Sequence, residues 1–114
     1  MHQDLGERLL KFAVDVLTFL KTIPRSIEND VIKYQLAKCC TSIGANYEES
    51  QAASSKADFY HKIKISLKES RETKYWFLII KYCNLGDQVE SKRLLNESIE
   101  LMKILGSISS KQVL

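Results

Sequence analysis

The sequence predicts an all-α protein, an antiparallel up-down-up-down four-helix bundle that self-associates. Three observations lead there. Proline and glycine are scarce, with one and four in 114 residues, whereas an all-β fold needs a turn every ~8–12 residues. Apolar residues recur at helical spacing in four separate segments. The breaks between them are short, and amphipathic helices on short connections pack as a bundle. With 45% hydrophobic residues and a net charge of +3, the chain is not compositionally disordered. Its length suits one domain with one core over residues 1–114.

The first helix starts at Asp4, with Glu7 at capping-box spacing. Leu5, Leu9, Phe12, Ala13, Val16, Leu17 and Leu20 write its stripe, and Pro24 ends it. The second is capped from Ser26, Asn29 or Asp30 and carries Ile32, Leu36, Cys39 or Cys40, Ile43 and Tyr47. Gly44 lies in mid-helix among small residues, which points to close approach by a neighbouring helix. The polar run Ser50 to Ser55 is the next break.

Ser55 and Asp58 cap the third helix, which runs to about Asn84. Its stripe is Phe59, Ile63, Leu67, Ser70, Thr73, Phe77 and Ile80. A second line of Ile65, Glu69, Glu72, Trp76 and Ile79 mixes carboxylates with bulky apolar groups. The helix is apolar on more than one side near Tyr75 to Ile80, wider than a single stripe. That width predicts an oligomer interface at Tyr75, Trp76, Phe77 and Ile80; a more deeply buried central helix would also explain it. Asn84-Leu85-Gly86 reads as a helix C-cap, and Asp87 with Glu90 opens the fourth helix. Leu94, Leu95, Ile99, Met102, Leu105 and Ile108 form its stripe, with fraying expected after Gly106.

The residues exclude more chemistry than they suggest. The longest apolar run, Trp76 to Ile80, is far short of a membrane span. Met1-His2-Gln3-Asp4 has no basic region followed by an apolar one, so no secretory signal is written and a cytoplasmic location is expected. Three cysteines with a vicinal pair make a poor disulfide framework, and Cys40 and Cys83 read as small buried hydrophobes. A bundle di-metal centre needs two Glu-x-x-His pairs. Here Asp58-x-x-His61 has that spacing once, and the other histidine is His2. No G-x-S-x-G, H-E-x-x-H or Gly-rich phosphate loop occurs. The expectation is no metal, no cofactor and no enzymatic activity. A metal-dependent enzyme built on Glu49, Glu69, Glu72 and His61 is the weakest alternative.

Two constellations stand out. Asn46, Glu49, Glu69 and Glu72 mix with apolar neighbours, which predicts a structural polar network, because unpaired buried charge is costly. Glu48 and Arg71 belong to the same neighbourhood. Lys56, Lys62, Lys64, Lys68, Arg71, Lys74 and Lys81 lie along the third helix, interleaved with Tyr60, Tyr75 and Trp76. A basic stripe with aromatics can contact phosphates and stack bases, or be only a solvated face that supplies solubility, as a net charge of +3 on one chain allows. The first six cations form the candidate nucleic-acid site. A ring of subunits would repeat the stripe and multiply its field.

Two runs carry a family resemblance. One is Thr41-Ser42-Ile43-Gly44-Ala45-Asn46-Tyr47-Glu48-Glu49-Ser50-Gln51-Ala52-Ala53. The other is Ser55-Lys56-Ala57-Asp58-Phe59 with Lys62, then Ser66-Leu67-Lys68-Glu69-Ser70-Arg71-Glu72-Thr73-Lys74-Tyr75-Trp76. Together they resemble the signature of the four-helix bundle proteins of the 23S ribosomal RNA intervening-sequence family. Similar proteins include the accessory subunit of diversity-generating retroelements. The family pattern S-I-x-x-N-x-x-E maps onto Ser42, Ile43, Asn46 and Glu49. Many relatives have Gly where Ser50 stands, and often Ala at Ser66 and Ser70. The resemblance implies an antiparallel bundle able to form pentameric rings, with no attached enzymatic activity. In the retroelement relatives it implies a basic surface acting with nucleic acid. The partners expected are therefore further copies of the chain and RNA or DNA. The alternative is a scaffold subunit that docks another protein and binds no nucleic acid.

Overall fold

A computed structural model describes residues 4–113. Met1 to Gln3 and Leu114 lie outside the described residues, and with them the reading of the N-terminal start and of His2. Four helices follow one another: α1 Leu5–Leu20, α2 Ile27–Gln51, α3 Lys56–Tyr82 and α4 Gln88–Ser109. No strand occurs among the described residues.

Each helix begins where a short polar side chain satisfies an orphan backbone N–H. Asp4 accepts from the Gly6 N–H at 3.3 Å, and Ser26 from Asn29 at 3.0 Å. Ser55 accepts from Asp58 at 3.1 Å, and Asp87 from Glu90 at 2.9 Å. Ser26 is therefore the cap of α2 among its three candidates. Asn29 instead donates to the Pro24 carbonyl, and Asp30 pairs with Arg25. The end of α3 uses left-handed residues, with Asn84 at φ 54° and Gly86 at φ 71°. The last helix runs through Gly106 to Ser109, so the expected fraying there does not occur.

Consecutive helices pack side by side, α2 on α3 most extensively, and α1 closes onto α4. The diagonal backbones of α1 and α3, and of α2 and α4, stay apart. Phe77 bridges the first diagonal, its ring 6.4 Å from Phe12 and 6.0 Å from Phe19. Leu9, Val16, Leu36, Ile43, Leu94, Leu101 and Leu105 belong to the same core. Ser66, Ser70 and Thr73 line the α2 side of α3, and their small size lets the two helices come close. The Ser66 hydroxyl donates to the Ile43 carbonyl at 2.7 Å, and the Ser70 hydroxyl to Leu67 at 2.6 Å. Buried hydroxyls satisfied in this way carry little penalty. At Gly44 an added methyl would lie 3.5 Å from Leu9 Cβ. The expected close approach of a neighbouring helix is there, and it leaves ordinary contact room.

Three expectations are corrected by burial. Phe77 and Ile80 are fully buried within the single chain, so they belong to its core and not to an oligomer interface. Their neighbours Tyr75 and Trp76 are exposed and half-buried. Cys83 is exposed, while Cys39 and Cys40 are the buried thiols. Burial pushes Cys39 up to about 11 and Cys40 up to about 12. Leu17, placed in the core stripe of α1, is 41% exposed.

Candidate nucleic-acid interface

The residues of α3 advance ~100° each, and the buried set Ile63, Ser66, Leu67, Ser70, Thr73, Phe77 and Ile80 defines its inner side. Directly opposite run His61, Lys64, Lys68, Arg71 and Tyr75, all exposed and spaced three or four apart. Among the described residues, no carboxylate lies within salt-bridge distance of Lys64, Lys68 or Arg71.

The other three predicted cations leave this line. Lys62 turns toward α2, where its Nζ meets Glu49 Oε2 at 3.1 Å. Lys56 and Lys74 occupy the flank facing α4. Lys56 lines a surface cleft there with Tyr60 and Lys111. The six residues therefore divide into a central line of three and two flanking positions on one side, with Lys62 spent on the other. Helical spacing alone places Lys62 on the α2 side, but not its partner. The pairing depends on where α2 sets Glu49.

The predicted polar network also divides. Asn46 donates to the Ser42 carbonyl at 2.9 Å and to its hydroxyl at 3.0 Å, inside its own helix. Glu49 serves Lys62. The Trp76 indole N–H donates to Glu72 at 3.1 Å. Burial, reinforced by Glu72, holds the Glu69 carboxyl above the usual range. These are separate local pairs along the α2–α3 groove. Firmer ion pairing joins α1 to α4, where Arg8 meets Glu97 at 2.7 Å and Arg93 meets Asp15 at 3.0 Å. His61 is exposed. Among the described residues no group of three His, Cys, Asp or Glu side chains could hold a metal ion.

One surface escapes the sequence reading. Leu10, Val14 and Leu17 of α1 are 66%, 53% and 41% exposed. They flank an apolar groove of about 520 Å³ with Thr41, Gly44 and Ala45 of α2. A signal for it exists in the sequence as a second line of apolar residues, parallel to the buried stripe. Only packing shows that this line faces outward.

The model of the family described as 23S rRNA-intervening sequence protein matches residues 3–107. The chain belongs to this family. A solved structure with the same architecture is a protein of unknown function from the S23 ribosomal protein family of Bacteroides thetaiotaomicron VPI-5482. It is 33% identical over 96% of this chain and 100% of its own, with a TM-score of 0.85. No protein with a curated description matches the chain. In this family member the signature residues have structural work: Ile43 fills the core, Ser42 and Asn46 bond each other, and Glu49 fixes Lys62. Among the described residues no helix is long and apolar enough to cross a membrane.

Proposed function

We propose that this family member is a non-catalytic, self-associating cytoplasmic protein that binds RNA or DNA through the outer face of α3. The observation that carries the reading is the exposed line of Lys64, Lys68 and Arg71, which has no acidic partner among the described residues. Free cations at this spacing release counterions when they meet phosphates. Tyr75, 58% exposed at the end of the line, offers a face for stacking a base.

The bundle is read as up-down-up-down. Ser66 pairs with Ile43 and Thr73 with Cys39, so residue numbers rise on α3 as they fall on α2. Arg8 with Glu97 and Asp15 with Arg93 give α1 and α4 the same opposed sense. Self-association is supported by the exposed apolar side chains of α1, and a five-subunit ring by the family resemblance alone. A ring would repeat the α3 line and strengthen a field that a charge of +3 per chain supplies weakly.

The test is fluorescence anisotropy with a labelled structured RNA, at low and then physiological salt. Binding that falls steeply with salt is expected. Replacing Lys64, Lys68 and Arg71 together by Gln should flatten the slope by roughly 0.7–0.9 per lost contact. Lys62→Gln, already tied to Glu49, should change it little. No binding at low salt, or a triple variant that binds like the wild type, overturns the reading. The scaffold alternative would then take its place, with the α1–α2 groove as the observation favouring it.

A further inference from the structure

We infer that the cleft between the start of α3 and the turn after α4 binds a nucleoside monophosphate, free or as the phosphorylated end of a strand. The inference goes beyond the exposed α3 line of the proposed function and stands without it. The cleft has a volume of about 500 Å³, within the range of small-ligand sites. Its walls come from two elements. Lys56, Phe59 and Tyr60 stand on the first turns of α3, and Lys111 and Gln112 on the turn that follows α4. Backbone hydrogen bonds fix that turn, the Lys111 N–H donating to the Ile108 carbonyl at 3.1 Å and the Gln112 N–H to the Ser109 carbonyl at 3.3 Å.

The lining is cationic and aromatic at once. Among the described residues no carboxylate lines the cleft, and neither Lys56 nor Lys111 has an acidic partner. Asp58, the carboxylate nearest in sequence, lies outside the lining and accepts from the Ser54 N–H at 3.3 Å. Two ammonium groups match a terminal phosphate monoester, whose charge is about −1.5 to −2 at pH 7, better than a singly charged internal phosphodiester. Tyr60 brings a ring beside them, and Phe59 meets that ring edge to face, 5.1 Å away at 86°. The contact holds Tyr60 in place before a ligand arrives, so stacking a base on it loses little side-chain freedom. The Gln112 amide offers a donor and an acceptor to a base edge. A bare phosphate would leave the aromatic wall unused, and an uncharged ring would leave two lysines unmatched. A nucleotide uses both.

The experiment is a titration of the isotope-labelled full chain with adenosine monophosphate, followed by amide NMR shifts. Shifts confined to the start of α3 and to residues 111–113 are expected. Adenosine and inorganic phosphate should each bind about tenfold more weakly or worse. Tyr60→Ala should weaken binding about tenfold, and Tyr60→Phe should keep it, with circular dichroism confirming that both fold. Lys56→Gln combined with Lys111→Gln should also weaken it about tenfold. Replacing Lys64, Lys68 and Arg71 by Gln should leave it unchanged, which separates this site from the proposed RNA-binding face. A short oligonucleotide with a terminal phosphate, set against the same strand with a terminal hydroxyl, distinguishes the two sources. Tighter binding of the phosphorylated strand than of the mononucleotide assigns the cleft to strand ends, and the reverse order assigns it to free nucleotides. No shift with either at millimolar concentration, or shifts only outside the cleft, overturns the inference. So does adenosine or inorganic phosphate binding as tightly as the nucleotide, or a folded Tyr60→Ala protein that binds like the wild type.

Discussion

Replacing Phe77 by Ala separates a core role from an interface role at the position where sequence and structure disagree most. The side chain is fully buried and spans the diagonal between α3 and α1, against Phe12 at 6.4 Å and Phe19 at 6.0 Å. The backbones of α1 and α3 stay apart, so no small movement brings other atoms into the space left behind. Truncating a buried Phe costs about 3–5 kcal/mol, and poor collapse favours the upper half of that range. Losing the two tilted ring contacts points the same way. A chain of 114 residues unfolds with an entropy of about 240 cal/mol/K near 60 °C. A loss of about 4 kcal/mol therefore lowers the melting temperature by about 15–20 °C. Thermal melting followed by circular dichroism measures this, with light scattering on the same samples. Tyr75→Ala, at a 58% exposed site on the same helix, should stay within about 0.5 kcal/mol of the wild type. A Phe77→Ala protein that melts within about 3 °C of the wild type but loses mass would refute the argument. Phe77 would then be an interface residue, as its place in the sequence suggests.

Gly86→Ala should cost about 2–4 kcal/mol in chemical denaturation. Gly86 is left-handed at φ 71°, and a methyl there would lie 2.7 Å from Thr22 Oγ1 and 3.0 Å from Phe19 Cε1. That hydroxyl also accepts from the Asp87 N–H at 2.9 Å, so a melting curve unchanged by the substitution would contradict this packing. Of the three thiols, Cys83 should react with an aromatic disulfide reagent within seconds in native protein at neutral pH. Cys39 and Cys40, raised to about 11 and about 12 by burial, should react only on unfolding. Fast loss of all three would contradict their burial. Hydrogen bonds from Lys11 and Arg93 outweigh the burial of Asp15 and hold its carboxyl below the ordinary value. Its folded form thus binds its proton less readily than the unfolded one. The stability it supplies is present above pH ~4 and disappears as the pH falls through its lowered value. Asp15→Asn should shrink the difference in melting temperature between pH 7 and pH 3, and an unchanged difference would exclude the contribution.

The four helices were legible because their signals are local. Periodicity, the caps at Asp4, Ser55 and Asp87, Pro24 and the Asn84–Gly86 turn act within a few residues of themselves. The exposed Lys64, Lys68 and Arg71 line was legible for the same reason, since spacing on one helix fixes which side chains share a face. Lys62 was assigned to the candidate site from its charge and helix, but its pairing depends on where α2 sets Glu49. Neither Asn46 nor Glu69 could be read correctly from composition, because a polar network is a matter of distances between helices.

The sequence by itself determined that the chain is helical, where its four helices lie, and which residues share a helical face, but left the cap of α2 among three residues and the end of α4 open. Only the tertiary structure decided how those faces are used. The apolar breadth of α3 around Phe77 turned out to reach across the bundle diagonal to α1. The apolar line of α1 through Leu10 and Val14 turned out to face solvent. Apolar periodicity says that a face avoids water without saying what covers it. That depends on how close the neighbouring helices come, which small residues such as Ser66, Ser70 and Gly44 set only once the helices are packed together.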